Sequence, residues 1–325
     1  MIAFSPMNIK IWSRLGSCGA FGQAAMALPE INDRVVMLTS DLCTFSGLDR
    51  FKAEFPDRLY NFGIAEQNMV GAAAGFAKEG FIPFATTYAT FATMRSADQV
   101  KVNMGYMNLP VKLVGLTSGY SVGILGATHM SLEDIAVMRA IPNVVILSPA
   151  DCTAAIKATW AAARINAPVY LRLSGSMNNP VVYHDDFDFE IGKAITLRTG
   201  KDISIIATGS MVHFALKAAE LLSEQEINAE VVDMHTIKPL DTSVIHKACE
   251  KKLIVTIEEH SVIGGLGSAV AETLSSKTVK PPQLILGTPD CYPHAANYPY
   301  LLDNSGLTPE KIMDRITQTY KELFR

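Results

Sequence analysis

The stretch YNFGIAEQNM, residues 60–69, carries an acidic side chain across the passage from an extended segment into a helix rich in Ala and Gly. Its acidic residue, Glu66, is surrounded in sequence by apolar neighbours: Ile64, Ala65, Met69 and Val70. We therefore predict a buried carboxylate that is short of polar neighbours, which is costly unless the group finds a donor. The residues alone leave two interpretations open, a hydrogen-bonded structural Glu or a carboxylate kept for chemistry.

Short apolar or β-branched runs alternate with amphipathic runs of helical length on both sides of this stretch, which is typical of a parallel α/β sheet. We expect strands over residues 34–40, 81–87, 111–117, 144–148 and 169–173, and again over 203–208, 230–234, 253–258 and 283–286. Helices are expected over 17–27, 66–78, 91–106, 131–141 and 152–166, and again over 211–223, 242–249, 265–274 and 308–324. Strands that are apolar on both faces predict a doubly wound sheet with helices on both sides.

The alternation lapses between residues 174 and 193, where Gly, Pro, Asn and Asp are frequent. Two domains also suit the length of 325 residues. We therefore predict a first α/β domain over residues 1–180, a linker over 181–200 and a smaller α/β domain over 201–325.

The composition excludes several classes of protein. A net charge of −4 without a Lys/Arg cluster argues against nucleic-acid binding. The five Cys residues are scattered and form no CxxC pair, which predicts reduced thiols, no zinc site and a cytoplasmic location. We expect no signal peptide, because residues 1–14 lack its pattern, and no membrane span.

Two further segments follow predicted strands, where ligands of open α/β sheets bind. Tyr88 and Phe91 stand three residues apart and could stack on a flat heterocycle, although on spacing alone ordinary core packing is the commoner explanation. Residues 119–129 form a Gly-rich loop that ends in His129, and Ser131 is expected to cap the next helix. Gly264-Gly265-Leu266-Gly267 lacks dinucleotide-loop spacing and predicts a tight turn.

The combination of these segments resembles the transketolase family. Residues 61–69 resemble its Glu-bearing motif, 88–99 the aromatic segment after it, and 123–143 (GILGATHMSLEDIAVMRAIPN) its substrate loop and the following helix. Asp41 matches a family position near the cofactor, and residues 200–274 resemble the family's C-terminal domain.

These enzymes use thiamine diphosphate, whose diphosphate and Mg²⁺ are held by a domain with a GDG…N motif, and this sequence contains no GDG. The resemblance therefore implies the C-terminal subunit of a split transketolase: a pyrimidine-binding domain followed by a C-terminal domain. A separate N-terminal subunit would carry the diphosphate-binding domain, in an α2β2 assembly.

The resemblance also implies roles for individual residues. Glu66 would hydrogen-bond the N1′ nitrogen of the cofactor's aminopyrimidine and activate it, Phe91 would stack on that ring, and Tyr88 would lie beside it. Met94 stands where the family often has another aromatic. His129 matches the His that contacts the oxygen of a ketol donor.

The residues that would read a sugar phosphate agree less well with the family. Where transketolases that use sugar phosphates have an Asp, a His, an Arg and a Ser, this sequence has Leu125, Thr117, Gly175 and Phe45, respectively. The family's Arg near the N-terminus is retained as Arg14. A charge-assisted contact to phosphate contributes about 1.5–3 kcal/mol, so losing cationic side chains weakens binding of a sugar phosphate. We expect a specialised substrate, for example a sulfo-sugar, a branched or nucleotide-linked sugar, or an acyl acceptor from secondary metabolism.

Two alternatives remain within the superfamily, an enzyme like 1-deoxyxylulose-5-phosphate synthase and the β subunit of a 2-oxoacid dehydrogenase. A non-catalytic scaffold subunit is a third. The presence of Glu66, Phe91 and His129 together argues against a scaffold, because a scaffold has no use for that set.

Overall fold

The structure, a computed structural model, describes residues 2–324. In chain order the strands are β1 (Val35–Thr39), β2 (Leu59–Asn61), β3 (Ile82–Tyr88), β4 (Lys112–Ser118), β5 (Val145–Leu147), β6 (Val169–Ser174), β7 (Ile195–Arg198), β8 (Ile203–Ala207), β9 (Ala229–Asp233), β10 (Thr236–Lys238), β11 (Leu253–Ser261) and β12 (Gln283–Thr288). The first sheet has the order β10-β5-β6-β4-β3-β1-β2, and the second has the order β12-β11-β8-β9-β7.

The α-helices connect these strands. They are α1 (Pro6–Ile31), α2 (Asp49–Glu54), α3 (Glu66–Lys78), α4 (Ala97–Gln99), α5 (Asp134–Ala140), α6 (Cys152–Arg164), α7 (Met211–Glu224), α8 (Thr242–Ala248), α9 (Leu266–Leu274), α10 (Tyr298–Asn304) and α11 (Pro309–Phe324). Two π-helical segments, Phe91–Arg95 and Val100–Tyr106, flank α4, and 3-10 turns cover Pro56–Arg58 and Gly123–Leu125.

Both sheets are mainly parallel, which confirms the predicted α/β class. Every residue of β1, β6, β8 and β9 is buried, as expected for strands covered by helices on both faces. Two strands are antiparallel to their neighbours, β10 against β5 and β7 against β9.

The sequence did not predict the short strands β2, β7 and β10. Strand β7 lies inside the stretch expected as a linker, so residues 181–200 are not irregular throughout. The division into 1–180, 181–200 and 201–325 stays a prediction.

Helix α1 is interrupted at Gly16, whose φ is +77°, so it consists of two helical segments. The second begins at the expected residue 17, although it extends past residue 27 to Ile31. The first, which starts at Pro6 and is capped by Ser5, was not expected from the sequence. Two local expectations need correction. Helix α5 starts at Asp134 and not at Ser131, whose backbone pairs with Gly119 and whose hydroxyl finds no partner among the described residues. The expected helix over 91–106 is mostly π-helical.

The two sheets belong to one packed unit. Strand β10, which follows β9 of the second sheet, adds to the edge of the first sheet at β5. Between the sheets, the buried guanidinium of Arg172 donates to Asp134 Oδ2 at 2.8 Å and to the carbonyl of Glu259 at 2.8 Å. Such a buried pair holds β6, α5 and β11 in one arrangement, since breaking it would leave an uncompensated charge.

Within residues 2–324, no helix combines the length and apolar character that crossing a membrane requires.

Candidate active site

Three hydrogen bonds of the Asn61 side chain, at the ends of β1 and β2, position the segment that leads to Glu66. Asn61 Oδ1 accepts from the backbone N–H groups of Asp41 and Gly63, both at 3.0 Å, and Asn61 Nδ2 donates to Asp41 Oδ1 at 3.1 Å. Gly63 has φ +66°, a left-handed conformation that suits glycine. The chain thereby turns sharply, and Glu66 becomes the first residue of α3, where the helix dipole favours a carboxylate.

Glu66 is buried, with 3% of its side chain exposed, as the sequence predicts. The expectation that it lacks polar neighbours is wrong. Arg95 Nη1 donates to Glu66 Oε1 at 2.8 Å, and the arginine side chain is itself 43% exposed. The carboxylate is therefore ion-paired at the floor of an open pocket of about 390 Å³, which is lined by Ile64, Ala65, Glu66, Gln67, Asn68 and Arg95.

The guanidinium of Arg95 also lies over the ring of Phe91, 3.9 Å from its centroid. The ring of Phe91 lies 5.9 Å from that of Tyr88 and 5.3 Å from that of His129. The rings of Tyr88 and His129 are 5.8 Å apart, and Phe45 reaches Tyr88 at 6.1 Å. Five side chains from three separate segments of the sequence thus form one continuous group from Arg95 to Phe45, which we call the aromatic cluster.

The Gly-rich loop over residues 119–129 brings His129 to this cluster. Its first turn is held by the second sheet: Glu259 Oε1 accepts from the backbone N–H of Tyr120 at 2.6 Å. Glu259 Oε2 accepts from the hydroxyls of Ser210 at 2.5 Å and Tyr298 at 2.7 Å. Burial raises the pKa of the Glu259 carboxyl, while these hydrogen bonds favour its charged form.

Leu125 and Phe45 present exposed apolar side chains, 47% and 61% exposed. Leu125 lies on the same loop as His129, in the turn Gly123–Leu125. Met94, next to Arg95, is also half exposed. Leu125 and Phe45 thus present apolar side chains at positions where the resemblance implies polar ones in enzymes that use sugar phosphates.

Thr117 lies at the end of β4 with φ +53°, a left-handed conformation that β-branched residues rarely adopt. Its hydroxyl oxygen is buried without a partner in residues 2–324. Burial raises the pKa of the nearby Cys18 thiol to about 11, although the sulfur accepts a hydrogen bond from the backbone of Thr117, which acts in the opposite direction. Backbone strain and an unpartnered buried group thus coincide at this position, a combination that occurs more often at functional sites than elsewhere.

Arg14, on α1, and Gly175, just after β6, belong to two chain segments that are hydrogen-bonded to each other. The backbone N–H of Asn178 donates to the Arg14 carbonyl at 3.4 Å, and Asn179 pairs with Ser13. Gly175 has φ +82°, and a Cβ there would lie 2.8 Å from the Asn179 amide. The structure therefore explains why this position holds glycine.

Sequence reasoning missed Arg95, Asn61 and Glu259. For Arg95 a signal was present, because residues four apart on a helical segment share a face, and Arg95 follows Phe91 by four. No spacing rule links Glu259 to Tyr120, which are 139 residues apart. His260, on β11, is a buried core group whose Nε2 accepts from the Ala136 N–H and whose Nδ1 contacts the carbonyl of Ser261.

The residues present fit an aminopyrimidine. A buried carboxylate lies beside an aromatic face that already stacks a flat, hydrogen-bonding cation. In the part of the chain that the structure describes, no group of three His, Cys, Asp or Glu side chains could hold a metal ion.

Comparison with known proteins identifies the family. The family described as transketolase, pyrimidine binding domain, matches residues 17–179, and the family described as transketolase, C-terminal domain, matches residues 192–312. The chain is 41% identical over 285 residues to a 6-deoxy-6-sulfo-D-fructose transketolase subunit of Clostridium sp. strain MSTE9, covering 87% of each chain. It is 41% identical over 272 residues to an apulose-4-phosphate transketolase subunit of Phocaeicola vulgatus, covering 83% of this chain and 86% of that protein.

A solved structure described as a split-gene transketolase in an inactive β4 tetramer is also similar. It shares 37% identity with a TM-score of 0.85, and the match covers 95% of this chain and 99% of that one. Together these matches show that the chain belongs to the transketolase family, with the family's pyrimidine-binding and C-terminal domains in one polypeptide.

Proposed function

We propose that this chain is the C-terminal subunit of a two-chain, thiamine-diphosphate-dependent transketolase that transfers a two-carbon ketol unit from a ketose-type donor to an aldehyde-type acceptor. The observation that carries the proposal is the pairing of buried Glu66 with the stackable face of Phe91. When bound, thiamine diphosphate supplies a carbanion that attacks the donor carbonyl and carries the two-carbon unit.

The residues of this chain have separate roles in the proposal. Glu66 holds a proton at the N1′ nitrogen, in a setting whose low exposure strengthens the hydrogen bond. Phe91 and Tyr88 form the wall against which the pyrimidine stacks, with Met94 beside them and Asp41 fixing the turn. His129, held against both rings, donates to an oxygen of the ketol donor.

The diphosphate and its Mg²⁺ would be held by an N-terminal subunit with the GDG…N motif, in an α2β2 complex. The absence of GDG from this sequence and the subunit names of two relatives support a partner.

The substrate in this proposal is specialised. Leu125 and Phe45 are exposed and apolar, and Gly175 and Thr117 bring no charge, which leaves Arg14 as the cation retained from the family's set. The two relatives named above are described as acting on a sulfonated fructose and on apulose 4-phosphate.

The test uses the purified chain reconstituted with its diphosphate-domain partner. We expect bound thiamine diphosphate, ketol transfer, and complete loss of turnover in Glu66→Gln and Glu66→Ala while the folded far-UV spectrum is kept. Glu79→Gln, an exposed glutamate just after the same helix, is the matched control and should retain full activity.

Near-normal turnover in either Glu66 variant would contradict the catalytic assignment. Ordinary efficiency with xylulose 5-phosphate and ribose 5-phosphate would contradict the specialised substrate. Release of CO2 from pyruvate in place of ketol transfer would favour an enzyme like 1-deoxyxylulose-5-phosphate synthase or a 2-oxoacid dehydrogenase.

A further inference from the structure

The guanidinium of Arg95 makes two contacts at once. Nη1 donates to Glu66 Oε1 at 2.8 Å, and the carbon centre lies 3.9 Å from the centroid of Phe91. Both contacts are of recognised kinds, a charge-assisted hydrogen bond and a cation–π stack. A flat, positively polarised group therefore fills the space between a buried carboxylate and an aromatic face.

An aminopyrimidine bound as proposed above needs the same two partners. It presents a flat ring to Phe91 and a protonated ring nitrogen to Glu66. One face of one ring accommodates a single stacked group at van der Waals distance, so Arg95 and the pyrimidine cannot both occupy it.

The exposure of the two charged side chains differs in a way that allows exchange. Glu66 is 3% exposed and fixed at the start of α3, whereas Arg95 is 43% exposed. The arginine can swing into solvent and regain hydration, while the carboxylate stays in place. The backbone of Arg95 is held independently, because its carbonyl accepts from Gln67 Nε2 at 3.1 Å.

We propose that Arg95 occupies the pyrimidine-binding site between Glu66 and Phe91 in the free chain and is displaced by the cofactor. The strength of the Arg95 contacts then sets the affinity for thiamine diphosphate. This inference rests on the proposed function. Arg95 forms an ion pair with the Glu66 carboxylate while the pyrimidine site is empty. When the cofactor binds, Arg95 moves away from Glu66.

The alternative, in which Arg95 stays paired with Glu66 after the cofactor binds, predicts the opposite change in cofactor affinity. If Arg95 remained on Glu66 in the loaded complex as a second donor, its removal would weaken cofactor binding. Under displacement, its removal abolishes a competing contact and strengthens binding. The sign of the change therefore decides between them.

The experiment titrates thiamine diphosphate into the reconstituted complex by equilibrium dialysis, with wild-type chain and with Arg95→Met. We expect Arg95→Met to lower the Kd for thiamine diphosphate by about five- to thirty-fold, the effect of removing one partly exposed ion pair and one cation–π stack. The Kd for inorganic diphosphate should not change, because that probe has no pyrimidine.

Arg34→Met is the matched control. Arg34 also lies over an aromatic ring, Phe81 at 5.2 Å, and its loss removes the same charge away from Glu66. The Kd for thiamine diphosphate should then be that of the wild type. An unchanged or raised Kd in Arg95→Met would overturn the displacement.

A second measurement uses urea unfolding of the isolated chain. A double-mutant cycle of Glu66→Gln and Arg95→Met should show coupling in the isolated chain, and the coupling should vanish when the cycle is repeated on the cofactor-loaded complex. Additive effects in the isolated chain would overturn the inference. If the wild-type complex bound no thiamine diphosphate, the proposed function would fail as well, whereas binding that weakens in Arg95→Met would overturn the displacement alone.

Discussion

The carboxylate of Glu259, on β11 of the second sheet, accepts a hydrogen bond from the backbone N–H of Tyr120 at 2.6 Å, at the start of the loop that carries His129. Gly119, just before it, has φ +69° and leaves room for that carboxylate, since a Cβ there would lie 2.3 Å from Glu259 Oε1. Farther along the loop, the Gly123 carbonyl accepts from Ala296 N–H at 3.2 Å. The C-terminal domain therefore holds the loop at two points, Tyr120 and Gly123.

Glu259→Gln should misplace this loop. Three donors converge on the carboxylate, and a neutral amide offers one acceptor oxygen in place of two charged ones, so the charge-assisted hydrogen bonds weaken by about 1–3 kcal/mol in total. We expect a raised KM for the ketol donor together with a lower free energy of unfolding.

Ser210→Ala is the matched variant for this test, because it removes a hydrogen bond to Glu259 and leaves the contact to Tyr120 intact. Its stability should fall by about 1 kcal/mol with an unchanged KM. Equal KM values in Glu259→Gln and Ser210→Ala would show that Glu259 does not position the loop.

Thr117→Val should separate stability from activity. The hydroxyl oxygen is buried without a partner among the described residues, so its removal should raise the free energy of unfolding by about 1 kcal/mol. The left-handed backbone is equally strained with either β-branched residue. If the hydroxyl serves substrate, the KM of the reconstituted enzyme should rise, as measured by steady-state kinetics.

Thr256→Val serves as its control. The Thr256 hydroxyl is likewise buried without a partner in residues 2–324, but it lies on β11 in the second sheet. It should gain similar stability and keep the wild-type KM. A wild-type KM in Thr117→Val would remove Thr117 from the substrate site.

Gly175→Ala should lower the free energy of unfolding by about 1–3 kcal/mol, as measured by urea denaturation. Its φ of +82° is unfavourable for a residue with a Cβ, and that Cβ would lie 2.8 Å from the buried Asn179 side chain. Gly71→Ala, in helix α3 with open space around it, should instead stabilise the chain by about 0.5–1 kcal/mol. A neutral Gly175→Ala would show that the loop after β6 relaxes freely.

Asp233→Asn should change the pH dependence of stability. Burial raises the pKa of Asp233 from 3.8 to about 8, against a hydrogen bond from the Tyr183 hydroxyl at 2.7 Å. Between these two values the folded chain keeps a proton that the unfolded chain releases, so the free energy of unfolding falls as pH rises from about 4 to about 8. The variant has no proton to release at this position. Its free energy of unfolding should therefore rise relative to that of the wild type by at most about 1.4 kcal/mol for each pH unit in this range.

Urea titrations at about pH 5 and about pH 8 measure this difference. Asp314 is an exposed aspartate on α11, and Asp314→Asn should have the same free energy of unfolding as the wild type at both pH values. A difference between Asp233→Asn and wild type that stays constant with pH would contradict the raised pKa.

Periodic burial made most of the fold predictable. Strands such as β1, β6 and β8 are apolar on both faces, and each was expected to within a residue or two of its ends. Strands β2, β7 and β10 have only three or four residues and lack the continuous apolar run that marks β5, which is equally short. They form because a neighbouring strand edge supplies their hydrogen bonds, which is a tertiary effect.

The sequence by itself determined that Glu66 is buried, because its near neighbours are apolar, and that Tyr88, Phe91 and His129 follow strand ends on one edge of a parallel sheet. It also carried the resemblance to the transketolase family. Only the tertiary structure decided that Glu66 is paired with Arg95, 29 residues away, and that Glu259 holds the loop of His129. The physical reason is that local periodicity sets which face of an element is buried, whereas hydrogen-bond and ion-pair partners depend on the distance and orientation that packing of separate elements brings about.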